Sequence, residues 1–141
     1  MRTDHVIALA SRVRELAHEL ILAQLEERGH PNLAPSHGAI LVQLYEQGAL
    51  PMGRLAQAIN RKKNTVTVLV NKLEAEGYVQ RRQSPDDSRV QLITLTEKGE
   101  GFREDFEAIS ALLLQRVWGD MEDAERAAVV RGLERMRDNL S

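Results

Sequence analysis

Apolar residues recur at helical spacing from the first turn of the chain: Val6, Leu9, Val13, Leu16, Leu20 and Leu25, with Ala10, Ala17 and Ile21 beside them. Side chains three and four positions apart share one face of a helix. The pattern therefore predicts a first helix over about 3–28, stopped by Gly29-His30-Pro31. Pro35-Ser36 starts a second, with Ser36 as its N-cap, and Ala39, Ile40, Leu41, Val42 and Leu44 give it an apolar surface as far as Gly48. Pro51 opens a shorter third helix containing Leu55, Ala56 and Ile59, and Asn60 suits a left-handed residue at its end. A fourth runs from about Lys62 to Glu76, with Val66, Leu69, Val70 and Leu73 facing inward, and ends at Gly77.

The pattern then changes. Tyr78–Arg82 and Val90–Leu95 read as two strands joined by the polar loop Gln83–Arg89. Thr96 is placed to cap a long helix whose stripe is Phe102, Phe106, Ile109, Leu113 and Val117, and Gly119-Asp120 breaks it. A last helix runs from Met121-Glu122-Asp123 to about Asn139, with Val130, Leu133 and Met136 on its stripe. Helix, tight turn, helix and hairpin is the order of a winged helix-turn-helix. The predicted fold is mainly α with a small β-hairpin, in one domain over 1–141 with the winged region at 35–99. The helices within 1–30 and 97–141 carry apolar stripes that this module does not need for its own core. Such stripes require a partner surface. Intrachain packing would supply one; the favoured reading is two chains interlocked in a two-fold homodimer. That symmetry sets two reading helices about 34 Å apart, matching an inverted-repeat site on double-stranded DNA.

Composition narrows the choices. The apolar fraction of 43% fills a core, and aromatics at 4% favour aliphatic helix packing over a β-sandwich. The absence of cysteine excludes disulfides, thiolate metal sites and thiol redox sensing. No apolar run approaches the roughly 20 residues that span a bilayer. Arg12, Arg14 and Glu15 interrupt the run Val6–Ala10 too soon for a secretion signal, so a cytoplasmic protein without a membrane partner is expected. Residues 54–98 hold nine basic against five acidic side chains, a net +4 in a chain of formal charge −2, which leaves −6 elsewhere. Positive charge gathered in one segment marks a directed basic face.

The residues Leu55-Ala56, Asn64–Thr67 and Leu69–Arg81 resemble the recognition-helix region of MarR-family transcriptional regulators, and Asp86-Asp87-Ser88-Arg89-Val90 with Leu92–Gly99 resembles that family's wing signature, D-x-R followed by a strand and L-T-x-x-G. The resemblance covers the whole chain in helix order and length, and 55–99 in specific residues. It implies a homodimeric DNA-binding regulator, usually a repressor, often released from DNA by a small aromatic or phenolic effector bound between the dimerisation and DNA-binding regions. It also implies that Asp87 pairs with Arg89 to hold the wing in shape. Lys62 stands where the family often has a capping Ser, and Val68 where an Arg or other polar residue is common.

Lys62, Lys63, Asn64, Thr65, Thr67, Val68, Asn71 and Lys72 lie on the outer side of the fourth helix. Asn64 and Asn71 suit adenine edges, Val68 and the methyls of Thr65 and Thr67 suit thymine methyls, and the three lysines suit phosphates. Without the hairpin behind it the same face would read as merely solvated. Ser88 and Arg89 sit at the wing, with Arg89 suited to a minor groove. Arg81 and Arg82 occupy adjacent strand positions, so one faces outward to phosphate while the other packs its stem. The effector cleft that the resemblance implies borders the second helix, which makes His37 and Tyr45 its candidates; from the residues alone His37 reads first as a capping or surface histidine and Tyr45 as a core or dimer residue. His5, His18 and His30 lack metal-ligand spacing, and no cofactor motif appears. Asp86-Asp87 and Glu26-Glu27 have no adjacent base or nucleophile, so no enzyme is predicted. The remaining alternative is a winged-helix protein-interaction adaptor with no effector.

Overall fold

In the computed structural model, which describes residues 1–141, the chain forms α1 (Val6–Glu27), α2 (Pro35–Gln47), β1 (Leu50–Pro51), α3 (Met52–Ala58), α4 (Lys63–Ala75), β2 (Val79–Gln83), β3 (Gln91–Leu95), α5 (Glu97–Gly101), α6 (Arg103–Trp118) and α7 (Asp123–Leu140). The three strands make one antiparallel sheet in the order β1-β3-β2. Its hairpin register pairs Val79 with Leu95 and Gln83 with Gln91.

Local chemistry explains most of the boundaries. Asn60 has φ 53° and Gly77 φ 84°. At the first, Arg61 N–H bonds to Ala56 C=O and Asn60 N–H to Gln57 C=O; at the second, Tyr78 N–H bonds to Leu73 C=O and Gly77 N–H to Glu74 C=O. Both are the double closure of a helix end that a left-handed residue permits. Two helix starts depart from the reading above. The N-cap of α2 is Ala34, not Ser36; Pro35 occupies the first helical position, and His37 supplies the acceptor for the Ala34 N–H at 3.0 Å. The helix after Thr96 is interrupted at Phe102 and so divides into α5 and α6. The third strand was not foreseen. Leu50-Pro51 is too short to show a period of two, and it exists because the free edge of β3 accepts it at Ile93 and Leu92. Pro51 has no N–H to donate, which suits that edge position.

The core is confined to one part of the molecule. Ile40, Leu41, Leu44, Leu55, Val66, Val70, Leu73, Val79 and Ile93 are the fully buried aliphatics, and they belong to α2, α3, α4, β2 and β3. Nothing before Leu25 is buried, and α7 buries no residue at all. Only 18 of 141 residues are buried, so the terminal helices leave their apolar stripes open: Val6, Leu9, Val13 and Leu16 on α1, Leu114 and Val117 on α6, Val129, Val130, Leu133 and Met136 on α7. No helix is long and apolar enough to cross a membrane.

Candidate nucleic-acid interface

The outer face of α4 divides into a free half and an occupied half. Lys62 is the N-cap residue, with extended backbone and no side-chain cap bond. Lys62, Lys63, Asn64 and Thr65 are exposed, and neither lysine joins an ion pair. Val68 is 67% exposed, a large apolar side chain on a polar face. Half-buried Thr67 turns its hydroxyl back to donate to Lys63 C=O at 2.8 Å. Toward the C-terminus of α4 the side chains already have partners. Asn71 accepts from Arg81 through Oδ1 at 2.7 Å, and Lys72 lies 3.5 Å from Glu76.

The two strand arginines part as alternation requires. Arg82 is exposed and unpaired. Arg81 points back to α4, where its guanidinium donates to both Glu74 and Asn71. Of the two, Arg81 is the one that packs: it braces the hairpin against α4, and the Asn71 oxygen that an adenine amine would need is shared with it. A carboxylate at the C-terminal end of α4 was the available signal, but pairing Arg81 with Glu74 requires knowing how the hairpin folds back.

The wing loop, 84–90, is held by its own side chains. Ser84 Oγ accepts from the N–H groups of Asp86 and Asp87 at 3.3 and 3.4 Å, and Gln83 donates to Ser88 C=O at 2.8 Å. Asp87 takes the Arg89 guanidinium through both oxygens at 3.1 Å and also its backbone N–H at 3.0 Å. The Arg89 side chain remains 89% exposed. Its guanidinium and N–H hold the Asp87 carboxyl below the usual carboxylate range, so the wing is ionised wherever DNA is stable. Exposed Ser88 sits beside it at the tip. Between the wing, the start of α3 and Lys63 lies a recess of about 750 Å³ lined by Lys63, Ser88 and Arg89 with no carboxylate. Unpaired Lys63, with Arg89 held beside it by Asp87, makes this concavity suited to a phosphate.

The base of this surface depends on residues that the sequence reading passed over or used only once. The Thr96 hydroxyl caps α5 by accepting from Gly99 N–H at 3.1 Å and also donates to Gly77 C=O, just beyond the end of α4. Lys98 Nζ reaches Glu76 C=O at 2.7 Å. A Cβ on Gly99 would stand 2.1 Å from Tyr78 C=O, so only glycine fits there. His30 joins α1's end to both sides: Nδ1 meets Tyr78 Oη and Nε2 lies 3.3 Å from Asp105, which also takes Arg28 at 2.9 Å.

Above this layer, α1, α2 and α6 flank a half-open apolar cavity of about 460 Å³. Ile21, Leu25, Leu41, Phe102, Phe106 and Ile109 supply much of its wall, and His37 and Ser110 are its polar side chains. His37 is buried, and burial followed by the Lys72 charge pushes its pKa down. Tyr45 does not line the cavity; its hydroxyl donates to Gly99 C=O at 2.7 Å, and burial pushes its phenol well above the usual range.

The MarR family model matches residues 33–90, from the turn before α2 through the wing. The part of the chain that matches is its winged helix-turn-helix. The MarR-type winged fold extends over nearly all of the chain. A structure of reduced AbfR bound to DNA has a TM-score of 0.74 at 25% identity, covering 97% of this chain and 92% of that one. The structure of Bordetella bronchiseptica BpsR, whose DNA binding is regulated by 6-hydroxynicotinic acid, has a TM-score of 0.77 at 24% identity, covering 95% and 99%. Among curated relatives, the uncharacterised HTH-type transcriptional regulator YdgJ of Bacillus subtilis is 27% identical over 109 residues, 77% of this chain and 66% of its own length. The chain spans about half to two thirds of the length of the curated relatives it matches.

Proposed function

We propose that this chain is a MarR-family regulator, a cytoplasmic, homodimeric repressor that binds an inverted-repeat operator and lets go when a small molecule occupies the cavity between α1, α2 and α6. The observation that carries the reading is the division of the surface. The unpaired cations Lys62, Lys63 and Arg82, and the exposed Arg89 that Asp87 holds in place, gather at the start of α4 and on the hairpin. The apolar stripes of α1, α6 and α7 have no partner within the chain. A second copy covers those stripes and sets two reading heads at a fixed separation. Each head places Asn64, Thr65 and Val68 in a major groove, Arg89 at the flanking minor groove and the lysines on phosphates. AbfR bound to DNA supports the docking, and BpsR supports effector control.

The cavity lies between the terminal helices and the winged module, where occupation changes the separation of the two heads. A ligand shifts such an equilibrium only as far as it prefers one shape. Sedimentation and gel shift test the assembly together. The wild-type chain is expected to sediment as a dimer at micromolar concentration and to shift a palindromic site. Leu133→Glu with Met136→Glu, both exposed in the single chain, is expected to give a folded monomer whose operator affinity falls at least about a hundredfold, since two half-sites no longer bind as one. A double variant that stays dimeric, or a wild-type monomer, overturns the proposal.

A further inference from the structure

The wall of the cavity between α1, α2 and α6 contains no Lys, Arg, Asp or Glu. Its polar side chains are His37 and Ser110. The protonation of His37 is set by a backbone bond. Ala34 N–H donates to Nδ1 at 3.0 Å. A ring nitrogen that accepts carries no proton, so the neutral ring keeps its proton on Nε2. Nε2 of His37 has no hydrogen-bond partner within the chain, and the ring lines the cavity. Protonating the ring would break the bond that caps α2 and bury a charge. The lowered pKa of His37 agrees with a ring that stays neutral.

We propose that the cavity selects an uncharged, largely apolar molecule of bicyclic aromatic size that presents an accepting oxygen, such as a ketone carbonyl, to His37 Nε2–H. The inference rests on the effector reading above and adds its chemistry. A volume of about 460 Å³ lies within the range of small-molecule sites. Apolar walls supply most of the affinity, and one oriented donor supplies selection. The N-terminus of α2, which opens on the cavity through Ala34 and Pro35, places partial positive charge on the same side and favours the oxygen end of a dipole. A carboxylate gains that same half-charge but no counter-cation, and it forfeits far more hydration than a carbonyl. An ammonium meets a donor and a positive helix end, and is rejected outright.

Three probes of one shape separate these terms: acetonaphthone, naphthoate and ethylnaphthalene, titrated by calorimetry into the full chain with operator release read by gel shift. Acetonaphthone is expected to bind at least about tenfold tighter than either of the others, the worth of one buried hydrogen bond against ethylnaphthalene and of unpaid desolvation against naphthoate. His37→Phe keeps the bulk and removes the donor; it is expected to erase the preference over ethylnaphthalene while ethylnaphthalene still binds. Ser110→Ala, a milder change, is expected to keep the carbonyl preference. Naphthoate binding as tightly as acetonaphthone overturns this proposal and leaves the effector reading standing. Equal binding of acetonaphthone and ethylnaphthalene to the wild-type chain overturns it as well. If no probe binds, as when a second copy fills the cavity, the effector reading falls and this proposal with it.

Discussion

Gly99 shows how one residue can hold a surface it does not touch. It stands in α5, yet the missing side chain is what lets α5 lie against the Tyr78 carbonyl, next to the end of α4. Gly99→Ala is expected to cost about 2 kcal/mol or more in chemical denaturation, because the clashing atom is backbone and overpacking of this kind costs ~1–3 kcal/mol or above. A change under about 0.5 kcal/mol would show that α5 is free to move away. Asp87 behaves differently. Its ion pair with Arg89 is exposed and contributes little to stability, but it fixes where the guanidinium points. Asp87→Ala is therefore expected to leave the melting temperature within a degree or so while weakening operator binding about fivefold to tenfold. The D-x-R spacing was legible in the sequence. The occupation of Asn71 by Arg81 was not, because it depends on a contact between a helix and a strand ten residues apart.

Among the elements, α2 carries the clearest titration. Burial holds His37 neutral, so its folded pKa lies below the ordinary value of 6.5. The unfolded chain takes up a proton near 6.5 and the folded chain does not. Stability is therefore full above that pH and declines as pH falls through it, until the folded ring protonates too. Urea midpoints measured between about pH 7.5 and 5.5 are expected to fall on acidification, and His37→Gln to flatten the fall. An unchanged slope in that variant would assign the pH dependence elsewhere. Periodicity located this helix but misplaced its cap on Ser36, because a rule that looks for hydroxyls does not anticipate a histidine acceptor at the third helical position. Likewise the stripe from Phe102 to Val117 reads as one helix, whereas α5 and α6 are separate: residues 96–99 are held by Gly77, Glu76 and Tyr78 rather than by the helix that follows.

Across the whole molecule, charge and apolar surface are kept apart, and each half makes its own demand. Lys62 and Lys63 are free at the start of α4, and each phosphate they neutralise releases counterions. Lys62→Ala with Lys63→Ala is expected to lower the slope of log Kd against log salt by about 2, near 0.9 per lysine, for operator and random duplex alike. An unchanged slope would remove both residues from the DNA face. The sequence by itself determined the order of helices and hairpin, the left-handed stop at Asn60 and the basic character of residues 54–98, because helix period, turn chemistry and net charge are local or additive properties. Only the tertiary structure decided which cations remain free, that Leu50-Pro51 adds a strand, that His30 ties α1 to Tyr78 and Asp105, and that the cavity has no charged wall. Those are facts about residues distant in the chain meeting in space, and side-chain spacing along one element does not encode them.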